Sequence, residues 1–479
     1  MLGEATVTAE EVEQAIRGTA PGKAPGLDGV PGELFRQFRP QLSPLLARLY
    51  TAIGSTHTCP VGFLDGVVVP VLKPGGEAVD VDSYRPLQLL CYDYRLLAKV
   101  LANRLLSVAG SIIDPAQCAF LHHRHIGDSI RLLQMLPAWL SAEQRSAIAA
   151  FLDFRKAYDT LSREFLYSVA TALGVGDGFV AWMKLLLTHT YSCAVVNGFK
   201  SSFYLCNAGV RQGCPLAPLI YLFIGQALLC HLRREGVGLS VEGTNVTAAQ
   251  YADDAEPLLA SDGDTLSFEQ SMSVFGNASG QHMQPRKSHY LRMGHNASAQ
   301  QPLPSGTELE VVSQAKSLGI TFGGSGVVGV NWVDRMQVVH DRLQRISRIP
   351  NLSAFGRAFA TNAYALSTLL YGAQYTASLP QEHGDTLQKW VAALVDAGLG
   401  PGEDLRRPPG IPQSCMAAHP TEGGFGLLPV RQHLFARLAV EAVQLLGESN
   451  APWVIVGRSL VQKLLRAAPE AGAWQLALC

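Results

Sequence analysis

The sequence predicts an α+β protein, with strands in the first two thirds of the chain and helices after that. A β-branched run at residues 66–72 and an apolar run at residues 148–152 are typical of strands, the second of a buried one. From Trp332 onward, apolar residues recur at steps of four and three, as in an amphipathic helix. With 479 residues, 48% of them hydrophobic, the chain can form roughly two to four domains or subdomains.

The overall charge does not indicate a protein that binds nucleic acid with its whole surface. The chain has 38 Lys and Arg against 39 Asp and Glu, a formal net charge of -1. Because dedicated nucleic-acid binders are usually basic, any such function has to depend on a local basic patch.

Cysteine usage and the N-terminus both point to the cell interior. The nine cysteines form no Cys-x-x-Cys pair, so we expect free thiols rather than a zinc ribbon or a disulfide framework. The N-terminus lacks the features of a signal peptide. The longest uncharged apolar run, residues 214–232, contains two prolines and predicts a buried helix rather than a membrane span. We expect a soluble intracellular protein with no membrane contact.

Two adjacent carboxylates, Asp253 and Asp254, follow Tyr251 and Ala252 near the middle of the chain. Residues 241–249 and 255–260 flank them as candidate hairpin strands. At a tight turn both carboxylates can lean toward one pocket and bind hard divalent cations through oxygen. An exposed acidic turn is the alternative. Asp153, which ends the buried run at 148–152, is a candidate partner in space.

Several loops carry further candidates. Lys73 and Arg85 are expected on neighbouring strands, where they suit a polyphosphate, although two solvated cations are an equal alternative. The Gly/Pro-rich segment 208–219 suits contact with a nucleotide or a template base through its backbone amides. Residues 114–124 predict a polar loop, residues 317–320 a short strand, and residues 401–412 a linker.

The helix beginning near Trp332 carries the best candidate for a phosphate-backbone contact. Its apolar stripe consists of Trp332, Met336, Val339, Leu343 and Ile346. Four arginines lie off that stripe: Arg335, Arg342, Arg345 and Arg348. They could follow a nucleic-acid backbone, with an ordinary solvated helix face as the alternative.

Five segments, taken together and in this order, resemble the reverse transcriptases, specifically those of non-LTR (LINE-type) retrotransposons. They are Lys23-Ala24-Pro25-Gly26-Leu27-Asp28-Gly29, Tyr84-Arg85-Pro86-Leu87, Asp153-Phe154-Arg155-Lys156-Ala157-Tyr158-Asp159, Arg211-Gln212-Gly213-Cys214-Pro215-Leu216 and Tyr251-Ala252-Asp253-Asp254. The resemblance runs from about Thr8 to at least Tyr371.

This resemblance implies a right-hand polymerase fold, with fingers, a palm whose antiparallel sheet packs on helices, and a helical thumb. The expected parts are an N-terminal extension and the start of the fingers (1–60), fingers and palm (61–325), thumb (326–400) and a C-terminal helical region (401–479).

The same resemblance implies a catalytic site for nucleotidyl transfer. Asp153 and Asp253 correspond to the carboxylates that bridge two Mg²⁺ ions, with Mn²⁺ as a possible substitute, and Asp254 supports them. One ion activates the attacking 3′-hydroxyl and the other neutralises the triphosphate. Lys287 matches the lysine proposed to protonate the leaving pyrophosphate.

It also implies residues that bind the nucleotide and the nucleic acid. Lys73 and Arg85 correspond to fingers residues that grip the triphosphate. Tyr158 matches the aromatic position that stacks under the deoxyribose and blocks a 2′-hydroxyl. Gln212 and Gly213 resemble the loop that contacts the incoming nucleotide and template. The four arginines of the thumb could then follow the primer–template.

The implied partners are an RNA template, a DNA primer or target and dNTPs. Because no endonuclease sequence precedes residue 8, we expect the polymerase segment of a larger element, a truncated copy or a domesticated derivative. A separate endonuclease is then an expected partner for nicking. We expect the protein in the nucleus, the cytoplasm or both, as a ribonucleoprotein.

One departure from the family pattern follows the aspartate pair directly. Glu256 falls on the same strand face as Asp254, which predicts extra negative charge beside the metals or a misplaced ligand. Pro257 cannot donate a ladder hydrogen bond and favours an edge strand. This departure and the near-zero net charge support one alternative, a non-catalytic RNA-binding relic. The other alternative is a group II intron-type maturase with the same fold and site.

Overall fold

The structure is a computed structural model that describes residues 2–295, 297, 302–324, 327–375, 379–403 and 410–467. Within these ranges, none of the helices combines the length and the apolar character that a membrane span requires. Every described cysteine is a free thiol, as the scattered spacing predicted.

The strands lie before residue 324. They are β1 (Gly66–Leu72), β2 (Tyr84–Leu90), β3 (Ser146–Phe151), β4 (Tyr191–Val196), β5 (Phe199–Lys200), β6 (Tyr204–Leu205), β7 (Leu239–Val241), β8 (Thr244–Val246), β9 (Ala248–Tyr251), β10 (Asp254–Leu259), β11 (His289–Gly294), β12 (Glu310–Val312), β13 (Gln314–Ser317) and β14 (Ile320–Gly323).

The α-helices of the described residues lie between residues 9 and 467. They are α1 (Ala9–Arg17), α2 (Gly32–Gln37), α3 (Arg39–Thr56), α4 (Tyr92–Ile112), α5 (Ile126–Ala142), α6 (Ala157–Thr160), α7 (Arg163–Ala172), α8 (Asp177–Leu187), α9 (Ala217–Arg234), α10 (Thr265–Ser279), α11 (Val327–Ser347), α12 (Ala354–Ala360), α13 (Ser367–Gln374), α14 (Gln381–Ala397), α15 (Gln413–Ala417), α16 (Val430–Leu446) and α17 (Pro452–Ala467). A π-helical segment, Thr361–Leu366, joins α12 to α13.

The first sheet has the order β2-β1-β4-β5, and β6 also pairs with β4. β1 and β2 are antiparallel, with Val71 opposite Arg85. Lys73 follows the end of β1, and its N–H donates to the carbonyl of Ser83 just before β2. The prediction that Lys73 and Arg85 lie on neighbouring strands is therefore confirmed, with Lys73 one residue beyond its strand.

The second sheet, in the order β12-β11-β3-β10-β9, carries the aspartates. Alternate residues of its central strand β3 enter two different cores, because side chains of a strand point to opposite faces. Ile148 and Ala150 pack in the core that contains α4, α7, α9 and α10. Ala149 and Phe151 pack in the core that contains α5 and α17. The sheet is antiparallel as expected except for the parallel pair β11–β12.

Two expectations about strands are wrong, and the cause in both is a tight turn with positive φ. Residues 241–249 do not form one strand, because Glu242 and Gly243 (φ 47° and 79°) turn the chain between β7 and β8. Residues 317–320 are a turn rather than a strand, since Leu318 and Gly319 (φ 50° and 74°) connect β13 to β14. Two positive φ values in a two-residue loop are typical of a type I′ hairpin.

The last third is helical, as predicted. All five residues of the apolar stripe on α11 are buried in one core with α12, α13 and α14. α17 instead packs against α5 beneath the second sheet, where Trp139 donates through Nε1 to Ser459 Oγ at 3.0 Å. Of the expected linker 401–412, residues 404–409 lie outside the described residues.

Candidate active site

The aspartate pair sits on a tight hairpin turn, as predicted. β9 and β10 are antiparallel with Tyr251 opposite Asp254, so Ala252 and Asp253 alone form the turn. Ala252 has a φ of 58°, a conformation that costs a residue with a Cβ free energy and needs support from its surroundings. Both carboxylates therefore stand at the end of one hairpin.

Asp153 reaches the same place from the centre of the sheet. It lies two residues beyond β3, which pairs with β10 on one side and β11 on the other. Its N–H donates to Ser288 Oγ at 3.0 Å, and its carbonyl accepts from the N–H of Gln284 at 2.8 Å. The same segment holds Lys287, exposed in a short 3-10 turn. The backbone thus ties Asp153 to the segment that carries Lys287.

Electrostatics show that the three carboxylates are near one another. Burial, then the charges of Asp253 and Asp153, raise the pKa of Asp254 to about 6. Burial and, less strongly, the charge of Asp153 also raise the pKa of Asp253, while its own backbone and Arg85 oppose the rise. Crowded carboxylates in partly desolvated surroundings are stabilised by a bound cation. The donor set therefore fits hard divalent ions.

The carboxylates of Asp153, Asp253 and Asp254 are spaced more widely than the ligands of a single bound ion would be. Among the described residues, Asp28, Cys91 and Asp93 form a group of potential metal ligands. Their ligand atoms all lie within 4.8 Å of one another. The three aspartates do not meet that limit. The three aspartates therefore do not form a cage around one ion, which a site for two ions about 3.5–4 Å apart does not require.

Glu256 does not add the negative charge that its position suggested. Its side chain is buried, and Ser317 Oγ donates to Glu256 Oε1 at 2.5 Å. Burial, with a smaller contribution from Asp254, raises the pKa of Glu256 to about 8. The group is therefore mostly protonated at neutral pH. The burial and the raised pKa of Glu256 count against the expected extra charge beside the aspartates.

Pro257 also lies elsewhere than expected, since β10 is an interior strand between β3 and β9. The pairing of β10 with β3 is interrupted at Glu256 and Pro257, between the Leu152–Ala255 bridge and the Leu258–Ala149 pair. The sheet thus accommodates the missing N–H with a local gap in the ladder.

We predict that Glu256→Gln removes a pH-dependent loss of stability. The pKa of Glu256 is about 8 in the folded chain against an ordinary 4.5, so the folded state holds this proton more tightly. Between these values the wild type loses stability as pH rises, and the loss levels off above the folded pKa. The difference in Tm between Glu256→Gln and wild type should therefore grow from pH 5 to pH 8. A difference that stays constant over this range would contradict the protonated state.

Of the two cations expected in the fingers, Arg85 lies near the aspartates and Lys73 contacts Asp82 instead. Arg85 is exposed and near enough to Asp253 to lower its pKa. Lys73 donates through Nζ to the carbonyl of Asp82 at 2.8 Å. The Asp82 carboxylate in turn pairs with Lys156 Nζ at 3.1 Å. Lys73 and Lys156 thus meet at Asp82, on the 3-10 turn Val81–Ser83.

Tyr158 lies near Asp253 and Asp254, and the Gln212–Gly213 loop contacts the neighbouring Asp159. The Tyr158 ring stacks on Tyr221 with centroids 4.5 Å apart, and burial together with Asp253 and Asp254 raises the pKa of Tyr158. Gln212 Nε2 donates to both carboxylate oxygens of Asp159 at 3.0 and 3.2 Å. The carbonyl of Gln212 accepts from the N–H of Gln88 on β2 at 2.9 Å.

The four arginines, three on α11 and Arg348 directly after it, differ in their contacts. Arg335 donates to the carbonyls of Asn331 and Gly319 and is half-buried. Arg342 lies over the Tyr364 ring, 4.6 Å from its centroid, and Arg345 donates to Tyr364 Oη at 3.0 Å. Arg345 and Arg348 are exposed. The backbone-contact role stays a prediction, with these two the more available for a ligand.

The sequence around this site matches a known protein family. Residues 71–322, more than half of the chain, match the family described as "Reverse transcriptase (RNA-dependent DNA polymerase)". The chain belongs to the reverse transcriptase family. Its fold is accordingly the right-hand polymerase fold. The division into fingers, palm and thumb stays a prediction, in which β1, β2 and β4–β6 belong to the fingers, the sheet around β3 is the palm, and α11–α14 are the thumb.

The similar curated proteins come from mobile elements. The chain is 28% identical over 373 residues to "Transposon TX1 uncharacterized 149 kDa protein" of Xenopus laevis, over 77% of this chain and 28% of that protein. It is 28% identical over 257 residues to "RNA-directed DNA polymerase from mobile element jockey" of Drosophila melanogaster, over 53% of this chain and 28% of that protein.

A third relative is "Retrovirus-related Pol polyprotein from type-1 retrotransposable element R2" of Popillia japonica. The identity is 28% over 265 residues, covering 54% of this chain and 35% of that protein. The chain thus spans about a third or less of the length of these relatives.

Two buried polar residues of this reverse transcriptase were missed by the sequence reasoning. Arg211, in the segment that precedes α9, donates to Gln88 Oε1 and to the carbonyl of Leu64, and its guanidinium lies over the Tyr94 ring. Gln117, in the expected polar loop, contacts the backbone of Ala252. A polar residue inside a loop gives no periodic signal, so only the three-dimensional contacts reveal these two.

Proposed function

We propose that this chain is the polymerase segment of a non-LTR retrotransposon protein, and that it extends a DNA 3′-hydroxyl with dNTPs on an RNA template. The observation that carries the proposal is the convergence of Asp153, Asp253 and Asp254 at one end of the palm sheet, with Arg85 facing them. The similarity to the jockey and R2 proteins supports the retrotransposon origin over a group II intron-type maturase.

The residues that would hold the metal ions are Asp153, Asp253 and Asp254. Two Mg²⁺ ions, or Mn²⁺ in their place, would supply activation of the 3′-hydroxyl and neutralisation of the triphosphate charge. The chain contributes the frame: β3 and the β9–β10 turn fix the carboxylates, and Ser288 Oγ and the N–H of Gln284 hold the backbone of Asp153. Carboxylates fixed in this way need little rearrangement when the ions bind.

The proposed triphosphate site is made of Arg85 and Lys73, with Lys287 as the general acid for pyrophosphate. Arg85 offers a fork of donors beside Asp253, and Lys73 a point charge. Lys287 is exposed on a turn that the backbone ties to Asp153, so its Nζ can approach a developing negative charge. Arg345 and Arg348 would contact the primer–template backbone.

The wider setting is part of the proposal. The partners are the RNA template, a DNA primer or target and dNTPs, and a separate endonuclease for nicking remains an expectation carried over from the sequence. We propose that the protein works as a ribonucleoprotein in the nucleus, the cytoplasm or both. The relic keeps the support of the near-zero net charge. It loses support from the strand after the aspartates, because burial raises the pKa of Glu256 to about 8 and the ladder adapts to Pro257.

The test of this function is primer extension on a heteropolymeric RNA with an annealed DNA primer and four dNTPs in Mg²⁺. We expect a product whose sequence is the complement of the RNA and which stops when one dNTP is omitted. Extension that occurs equally without template, or none in Mg²⁺ or Mn²⁺, would refute the proposed function.

Tyr158 is predicted to set the choice between deoxynucleotides and ribonucleotides. Removal of a ring that stacks on Tyr221 beside the two aspartates opens the space that a 2′-hydroxyl would need. Tyr158→Ala should raise kcat/KM for rNTPs relative to dNTPs about 10- to 100-fold. Tyr158→Phe keeps the ring and should discriminate as the wild type does. An unchanged ratio in Tyr158→Ala would contradict this role.

A further inference from the structure

Gln117 makes a paired contact with the turn that carries the aspartates. Its Oε1 accepts from the N–H of Ala252 at 2.8 Å, and its Nε2 donates to the carbonyl of Ala252 at 3.2 Å. The Gln117 side chain is completely buried, and Ala252 is buried as well. One side-chain amide thus satisfies both backbone groups of the residue that precedes Asp253.

The turn needs such a partner. Tyr251 and Asp254 close the ladder of β9 and β10, so the two residues between them have no ladder partners for their own backbone groups. A buried and unpaired N–H or C=O costs about 1–3 kcal/mol, and the φ of 58° at Ala252 adds strain. A carboxamide has the same donor and acceptor as a peptide bond and can meet both groups together.

The loop around Gln117 is itself fixed to the palm. The N–H of Cys118 donates to the carbonyl of Gln250 at 2.9 Å, and Ser129 Oγ on α5 donates to the same carbonyl at 3.1 Å. The N–H of Ala119 donates to Gln117 Oε1 at 3.1 Å, which orients the amide. The loop at Gln117 and Cys118 therefore covers the free edge of β9 up to the start of the turn.

Arg124 holds the backbone of the same loop together through hydrogen bonds. Its guanidinium donates to four backbone carbonyls, those of Gly110, Ile113, Asp114 and Gln117. Hydrogen bonds from a charged donor are stronger than neutral ones. The carbonyl of Gln117 is thus held by Arg124 while the Gln117 side chain holds Ala252. This gives a continuous path of hydrogen bonds from the end of α4 to the aspartate turn.

We propose that Gln117 is a positioning residue, which sets the orientation of the Ala252–Asp253 peptide and so the direction of the Asp253 carboxylate. The inference rests on the proposed polymerase function. Gln117 lies behind the turn, and its side chain is committed to the backbone of Ala252 and to Ala119. Its effect on the reaction therefore passes through Asp253. Because small misplacements of a reacting group cost up to about 10²-fold in rate, loss of this contact should lower kcat.

The test compares two buried glutamines by replacement with methionine, which has a similar length and no amide. Gln226 is the matched control, because its Oε1 accepts from the N–H of Asp114 at 2.7 Å in the same loop without contacting the turn. Primer extension on oligo(dT)-primed poly(rA) gives kcat, the KM for dTTP and the Mg²⁺ concentration for half-maximal rate. Binding of the primer–template is measured separately, and Tm reports folding.

For Gln117→Met we expect kcat to fall about 10- to 100-fold. The Mg²⁺ concentration for half-maximal rate should rise, while primer–template affinity stays within about twofold of wild type. Gln226→Met should keep the wild-type Mg²⁺ requirement. An unchanged kcat, or an equal loss in both variants with an unchanged Mg²⁺ requirement, would overturn the inference. An inactive wild type would instead refute the proposed function.

A second variant serves if Gln117→Met does not fold. Gln117→Glu keeps acceptors for the N–H groups of Ala252 and Ala119 and, when ionised, loses the donor to the Ala252 carbonyl. We expect it to fold, with a kcat between those of wild type and a variant that lacks the side chain, and with a raised Mg²⁺ requirement. Wild-type kcat and Mg²⁺ requirement in Gln117→Glu from about pH 6 to about pH 9, which covers the protonated and the ionised carboxyl, would overturn the positioning role.

Discussion

Replacement of Asp153 by asparagine is expected to lower kcat for dNTP addition at least about 10³-fold, which corresponds to about 4 kcal/mol of transition-state stabilisation. The reason is the loss of one charge, proposed here to bind metal, from a group of three carboxylates whose mutual repulsion indicates that they face one region. An amide of the same shape keeps the carbonyl oxygen but not the charge. Primer extension under single-turnover conditions measures the loss directly.

The folded state of this variant should be at least as stable as that of the wild type in the absence of metal, since one of three repelling charges is gone. Asp177→Asn is the matched control, because Asp177 is exposed at the start of α8 and its replacement should leave the rate unchanged. Asp153→Asn with more than about a tenth of wild-type kcat would contradict its role as a metal ligand.

Replacement of Gly213 by alanine is expected to destabilise the fold by about 3 kcal/mol and to impair nucleotide addition. Gly213 has a φ of 111°, and a Cβ at this position would lie 2.4 Å from the carbonyl oxygen of Gln88 on β2. The Gln212 carbonyl accepts from the Gln88 N–H, so the loop can relieve the clash only by leaving the edge of β2. Thermal unfolding measures the first effect and the KM for dNTP the second.

Gly198→Ala separates the cost of a positive φ from the cost of the steric clash. Gly198, between β4 and β5, also has a positive φ of 83°, but no heavy atom lies within 4 Å of a Cβ built there. Its replacement should lower the free energy of unfolding only by the cost of a positive φ for alanine, about 1–2 kcal/mol. If Gly213→Ala lowered Tm no more than Gly198→Ala and left the KM unchanged, the close approach of loop and strand would not matter for the site.

The parts of the site that sequence predicted are those with a strong local signal. The apolar run before Asp153 specified a buried strand, and the Asp253–Asp254 pair between two short apolar runs specified a turn. The strand prediction holds because both faces of β3 are buried, so that a continuous apolar run fits an interior strand. The apolar stripe of α11 is buried for the same reason, since a 3.6-residue period has to meet a core.

The remaining parts depend on contacts between distant segments. Nothing local distinguishes Gln117 from any other polar loop residue, because its role comes from Ala252, which is distant in sequence and buried against it. The neutral state of Glu256 likewise depends on Ser317 and on burial inside the sheet. The turn at Leu318 and Gly319 was missed since leucine rarely adopts positive φ, so that its presence there gave no turn signal.

The most direct test of the central claim is incorporation of dTTP into oligo(dT)-primed poly(rA), in wild type and in Asp253→Asn. Asp253 is the turn residue whose carboxylate interacts with both Asp153 and Arg85. We predict Mg²⁺-dependent incorporation by the wild type, abolished in a folded Asp253→Asn. Incorporation by the variant at the wild-type rate would show that the reaction does not use the β9–β10 turn, and would contradict the assignment of this site.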